Sequence, residues 1–156
     1  MELLFDTNEE SFQNLPRILL AIRDLNLISI VIWDHKMVDD NKVTFERAFF
    51  AFDASIDGFQ YCHPLISIND THLYGKYKAK LLVVAAYNMH NRVYPLRFDI
   101  IKEETNNNWS WFLDLLHQYV IGDYTRLCII SGRNVAITAF IAHIFPERIG
   151  YHQYCS

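Results

Sequence analysis

Glycine and proline are scarce in this chain, with 5 and 4 among 156 residues. That excludes collagen and Gly/Pro-rich low complexity. Cysteine is scarcer still: Cys62, Cys128 and Cys155 are widely spaced and form no CxxC pair. Such a trio supplies no disulfide framework and fits free thiols in a reducing compartment. No apolar run reaches the ~18 residues of a membrane-spanning helix, so no membrane partner is expected. The opening MELLFDTNEE lacks a basic stretch and turns acidic at once, unlike a signal peptide. Basic charge is also short, with 14 Lys and Arg against 18 Asp and Glu, a formal net of −4. A chain that holds nucleic acid through its phosphates should be basic, so no autonomous DNA-binding face is expected. Apolar side chains are plentiful: 51% of residues are hydrophobic, 15% aromatic and only 21% charged. Disorder and coiled coil are therefore disfavoured, and the length fits one domain with at most a short attachment.

The first third reads as that attachment. Phe12, Leu15, Leu19 and Ile22 fall at helical spacing. Asn8 or Asn14 would cap this helix, Pro16 would sit in a first turn or a kink, and Asn26 would end it. LISIVIW (27–33) and VTFERAFFAF (43–52) read as a β-hairpin across a polar turn, 34–42. Residues 53–62 read as a short helix or turn, stopped at Gly58.

Strands and helices then alternate. Strands are expected at 64–70, 80–88, 92–101 and 127–131. Met89 to Asn91 are too few to allow anything but an antiparallel hairpin between the second and third. Pro95 points that third strand toward a sheet edge. Asn106 to Asn108 would cap a helix near 107–120, with Trp109, Phe112, Leu113 and Leu116 as its apolar stripe. Ile137, Phe140, Ile141 and Ile144 would stripe another near 133–144, and 148–154 could begin one more strand. The strand at 127–131 arrives after a helical crossover, so it should lie parallel to one already present, beside 64–70. The fold class is α/β, a mixed sheet flanked by helices, and pattern alone leaves several such folds open.

The sequence carries more than its pattern. SINDTHLYGKYKAKLL (67–82) resembles SIDGTHLYGKYKGKLL, the opening strand and loop of Mutator-like element (MULE) transposases. NMHNRVYPLRF (88–98) is similar to that family's DANNQIYPLAF hairpin, and EETNNNWSWFLDLL (103–116) to its E-x-x-x-SWSWFL helix. LCIISGRNVAI (127–137) resembles LCIISDRHxGI, and FPERIGYHQYC (145–155) resembles FP…HRYC. Upstream, ESFQNLPRILLAI, FERAFFAF and IDGFQYCHPLISI match the family's lead-in.

The resemblance implies an RNase H-like DDE transposase core, preceded at 1–62 by a helix and β-hairpin lead-in. Residues 63–156 would be a partial transposase domain, incomplete at its C-terminus. Missing cover there would leave apolar surface exposed and 145–156 loosely placed. Active members cut and rejoin DNA with Mg or Mn ions, and a nuclear location follows from the resemblance. Two metals ~3.5–4 Å apart need carboxylates converging from neighbouring strand ends.

This chain departs from the family at those positions. The first catalytic Asp aligns with Asn69 and the second with Gly132, while the third acidic residue is expected beyond Ser156. Asp70 follows Asn69, but on a strand it would face the other way. It is a weak substitute at most, and no metal or cofactor is expected. The family's hairpin Asp is Asn88, and small residues of its PLAFAI strand are Arg97 and Asp99. If their face is buried, those two must compensate each other. The expected reading is an inactive piece of a cut-and-paste DNA transposase. The alternative is a transposase-derived DNA- or protein-binding module using the core as a scaffold. Expected partners are DNA in the family, weak or absent for this acidic chain, and a homo-oligomer or transposase-like partner.

Other chemical candidates carry little. His35, His63, His90, His117, His143 and His152 show no HxxxH spacing, and His72 reads as an exposed loop residue. His152 with Cys155 is too few ligands for zinc. Cys128 reads as core, Asp39 and Asp40 as a turn, and Trp109 as core. Trp111 would lie beside an inter-domain surface. Gly75-Lys76 lacks the rest of a phosphate loop, and Ser131 lacks a GxSxG setting.

Overall fold

The computed structural model describes residues 8–25, 30–39, 42–74, 78–123, 126–132, 139, 142 and 149–153. Its elements are α1 (Asn8–Leu25), β1 (Ile30–Asp39), β2 (Lys42–Ala51), α2 (Asp53–Gly58), a 3-10 turn (Phe59–Tyr61), β3 (Cys62–Leu73), β4 (Ala79–Asn88), β5 (Val93–Ile101), α3 (Asn106–Leu116), a π turn (His117–Ile121), β6 (Leu127–Ser131) and β7 (Ile149–Gln153). The strands form one sheet in the order β1-β2-β5-β4-β3-β6-β7. β1 to β5 pair antiparallel with their neighbours, whereas β6 pairs parallel with β3 and β7 parallel with β6. The expected parallel placement of 127–131 beside 64–70 is thus present, with Leu65 opposite Cys128 and Ile68 opposite Ser131. The mixed α/β sheet follows from connection lengths: short turns force antiparallel neighbours, and a parallel neighbour needs a long crossover.

The hairpin β1–β2 is as expected, but its polar stretch is not a long turn. β1 runs on to Asp39, because Asp34 to Asp39 still pair across to β2. β2 in turn pairs with β5 through Arg47 to Phe50, so the hairpin extends the main sheet. Leu19 of α1 is buried while Leu15 and Ile22 are half-buried, as the stripe predicts. Pro16 lies inside this helix, not in its first turn. The helix 133–144 lies outside the described residues apart from Ala139 and Ala142, which are helical. Residues 149–153 are not loosely placed: they form β7 along β6.

One face of the sheet carries the core. Ile66, Ile68, Leu82, Val84, Ile101 and Ile129 pack there against Trp109, Phe112, Leu113 and Leu116 of α3. Those four helix residues are the stripe the spacing predicts, each 2% exposed or less. Farther along, Phe49, Ala51 and Leu115 continue the core under the hairpin. Trp111 packs beneath the Arg47 guanidinium, whose centre is 4.7 Å from the ring centroid. Arg47 also binds Asp34 at 2.7 Å and donates to Asn108 Oδ1 at 3.1 Å, tying hairpin to helix. The α3 cap is Thr105, not the Asn run: its hydroxyl accepts from the Asn108 amide at 3.2 Å. Asn108 is buried instead, its side chain donating to the Glu103 carbonyl at 2.7 Å.

Arg97 and Asp99 lie inside this core, both 0% exposed. Arg97 Nε donates to Asp99 Oδ2 at 2.7 Å, and Nη2 donates to Oδ1. Nη1 donates to the Phe112 carbonyl at 3.2 Å. The guanidinium lies 4.4 Å from the Phe49 ring centroid and 4.5 Å from that of Phe112. Burial pushes the Asp99 carboxyl up from its ordinary value, and the Arg97 charge only partly opposes this. The pair compensates itself, as a buried pair of opposite charges must.

Pro95 is the clearest correction. β5 is an interior strand, yet its pairing with β2 begins only at Phe98. Pro95 lies before that stretch, beside an irregularity where Val84 opposes Arg97 but Ala85 opposes Pro95. A missing amide is tolerated at such a bulge. The β4–β5 turn is built by Asn88, whose Oδ1 accepts from the His90 and Arg92 amides at 2.9 and 3.0 Å. Asn91 adopts φ 56° there, a left-handed conformation that asparagine tolerates.

Gly58 is required by a close approach. A Cβ there would lie 2.1 Å from the Tyr94 hydroxyl, which donates to the Ala54 carbonyl at 3.2 Å. Gly58→Ala is expected to cost about 1–3 kcal/mol through this overpacking. Chemical denaturation checks it, and pairing with Tyr94→Phe should recover part of the loss.

Candidate functional site

The positions where catalytic carboxylates are expected lie on β3 and just past the end of β6, two adjacent parallel strands. β3 does not end at Asp70; it continues to Leu73, held by pairing of Asn69 to Val83, Asp70 to Leu82 and His72 to Lys80. The alternation of side chains therefore persists through both residues. Asn69 shares a face with Ser67, and Asp70 lies on the other face with Ile68. On β6, Ile68 stands opposite Ser131. Asn69 follows that pair on β3, on the face away from α3, and Gly132 follows it just past the end of β6. The fold brings these two together, as carboxylates for two metals would have to be brought.

The chemistry at that point is neutral. Asn69 is exposed and its Nδ2 donates to Ser67 Oγ at 3.2 Å. Ser67 is 6% exposed and its hydroxyl donates a hydrogen bond to the Ala85 carbonyl at 3.4 Å. Gly132 offers only backbone, and a Cβ built on it meets no described atom within 4 Å. Divalent metals of this kind prefer charged oxygen ligands, and neither residue supplies one. Among the described residues no group of three or more His, Cys, Asp and Glu side chains is placed to hold a metal ion. The residues present do not fit a two-metal centre.

Asp70 is occupied on the opposite face. Lys80 Nζ lies 3.0 Å from Asp70 Oδ2 and also bonds Glu104. Burial lowers the Lys80 pKa, but hydrogen bonds and charge from Glu104 and Asp70 outweigh it and leave the ammonium raised. This clamp joins the β3–β4 hairpin to the approach to α3. It was hidden in the sequence, because Lys80 reaches Asp70 only through strand pairing and Glu104 reaches Lys80 from the turn before α3.

The remaining candidates are structural or exposed. His72 is exposed as expected, but it lies within β3, not in a loop. Cys128 is half-buried, on the Ser67 face of the sheet and outside the main core. Cys62 donates to the Gly58 carbonyl at 3.7 Å, and burial pushes its thiol up, away from a reactive thiolate. Asp39 closes β1 opposite Lys42, while Asp40, Gly75, Lys76, His143 and Cys155 lie outside the described residues. No described helix is long and apolar enough to cross a membrane.

Two comparisons bear on this arrangement. A family model described as MULE transposase domain matches residues 65–156, the stretch from β3 onward. No curated protein matches the chain.

Proposed function

The chain belongs to the MULE transposase domain family, and on that premise we propose that it is a transposase-derived domain without two-metal catalysis. One observation carries this reading. Asn69 and Gly132 each follow the last pair, Ile68 opposite Ser131, of two adjacent parallel strands, where two carboxylates would converge, and both are uncharged. Without carboxylates to hold a metal there, water would keep its ordinary pKa, far above neutrality. Asp70 does not repair the loss, because it faces the other side and is held by Lys80. The domain accordingly takes no Mg or Mn ion as a cofactor.

The architecture supports an RNase H-like core. β3, β4 and β5 form an antiparallel meander, and β6 and β7 follow in parallel beside β3. The family supplies DNA as the polymer this scaffold meets, and the nucleus as its place of action. A chain of net charge −4 meets DNA weakly by itself.

The test is a nicking assay on supercoiled plasmid with Mg²⁺ or Mn²⁺ across a range of salt. The purified chain is expected to leave the plasmid intact. Metal-dependent nicking that disappears in Asp70→Ala would overturn the proposal, since it would make Asp70 a working ligand.

A further inference from the structure

A cavity of about 550 Å³ opens between α2 with its 3-10 turn and the π turn that follows α3. Its floor is apolar: Phe59, Val120 and Ile121 are buried there and Ile56 is half-buried. Its rim is polar and open to solvent. Asp57 and Gln60 form one wall, Gly122 and Asp123 the other, and all four are exposed. None of these residues belongs to β3 or β6, so the cavity is separate from Asn69 and Gly132.

The backbone on both walls is specialised. α3 widens into a π turn at His117, a rare element that occurs often at functional sites. The turn stops at Gly122, whose amide donates to the His117 carbonyl at 2.9 Å. Its φ of 50° and ψ of −126° form a conformation that glycine adopts readily and other residues rarely. The chain thereby passes within two residues from buried Ile121 to exposed Asp123. On the facing wall the 3-10 turn sets buried Phe59 among exposed Asp57 and Gln60. The Gln60 amide donates to the Asp57 main-chain carbonyl at 2.9 Å, which steadies that wall and leaves the Asp57 carboxylate to solvent. Among the described residues neither Asp57 nor Asp123 has an ion-pair partner. Two such carboxylates above an apolar floor match a cation carried on an apolar stem. The chain's net charge of −4 adds long-range attraction for it.

We propose that this cavity binds an arginine or lysine side chain of a basic protein segment. The stem lies on Phe59, Val120 and Ile121, and Asp57 and Asp123 hold the charged head. The open mouth admits a chain passing across it, which favours a side chain over a free small molecule. Arginine suits the site better, because its planar fork engages two carboxylates at once. One side chain held at an exposed rim binds weakly, and salt screens the contact.

The experiment uses the full chain and fluorescence anisotropy at low and moderate salt. The probes are short labelled peptides that alternate leucine with arginine, with lysine, or with citrulline, the uncharged isostere of arginine. The arginine peptide should bind tightest, the lysine peptide next, and the citrulline peptide about tenfold more weakly than the first. Asp57→Asn and Asp123→Asn should each weaken arginine-peptide binding roughly two- to fivefold. Asp114→Asn removes the same charge from an exposed position of α3 outside the cavity and should change little. Because all three carboxylates are exposed, these variants should melt like the parent. Spermidine, a free polyamine, should compete poorly, since its charges are spread along its stem. Absence of binding, equal binding of the citrulline peptide, an Asp114→Asn loss as large as the other two, or tighter binding of spermidine would overturn the proposal. None of these outcomes bears on nicking, so the catalytic reading stands or falls separately.

Discussion

Replacing Asp99 with alanine is expected to destabilise the fold by about 3–5 kcal/mol, because it leaves the Arg97 charge buried without its partner. For a domain of this size that is a fall in melting temperature of roughly 6–20 °C. The cost arises from position. Arg97 is fully buried, its guanidinium lies against two phenyl rings, and one bond to the Phe112 carbonyl remains. A carbonyl dipole does not balance a full charge at that depth. Replacing both partners with apolar residues, Arg97→Met with Asp99→Leu, should cost far less than either single change. Urea denaturation of the two single variants and the double variant forms a closed cycle that measures the coupling. A pair that proved additive would mean that the bidentate contact contributes nothing.

The second large effect is a gain. Asn69→Asp combined with Gly132→Asp should raise Mn²⁺ affinity at least tenfold over the parent, measured by titration calorimetry. Two carboxylates would then each follow the last pair of two adjacent parallel strands, with no described atom crowding the new Cβ at 132. Each single variant should bind less well than the double, since one exposed carboxylate holds a divalent ion poorly. Adding Asp70→Ala to the double variant should leave affinity unchanged, because Asp70 projects from the other face. If the double variant binds no better than the parent, the two positions do not converge, and the registry argued from β3 and β6 is wrong.

Much of this fold was legible because its signals are local or follow from connection length. The stripe of Trp109, Phe112, Leu113 and Leu116 has helical spacing, and all four are in the core. The parallel seat of β6 followed from a crossover too long for a hairpin. Pro95 misled because its residue-level rule is sound but incomplete. A strand can be interior at Phe98 and have an open side at Pro95, and only the pairing of β2 reveals where one becomes the other. The Asn106–Asn108 run looked like a cap, yet the residue just before it was better placed. At the site, Asn69 and Gly132 were singled out by the resemblance to the family's motifs, and the parallel pairing of β3 with β6 by topology. The engagement of Asp70 was not, since Lys80 reaches it only across a strand pair and is itself bound by Glu104 from the turn before α3.

The open space at Gly132 has an evolutionary consequence. No described side chain has grown into the position, and the glycine backbone there needs no special conformation. Among the described residues, no repacking stands in the way of a carboxylate there. Asparagine codons lie a single base change from aspartate and every glycine codon a single base change from aspartate or glutamate, so the path to two acids is short in sequence space. What opposes that path is electrostatic: two carboxylates side by side without a metal repel each other, and their removal relieves the fold of that repulsion. A lineage freed from cutting DNA would thus drift toward neutrality here by mutation and gain stability as it did so, while keeping the vacant seat.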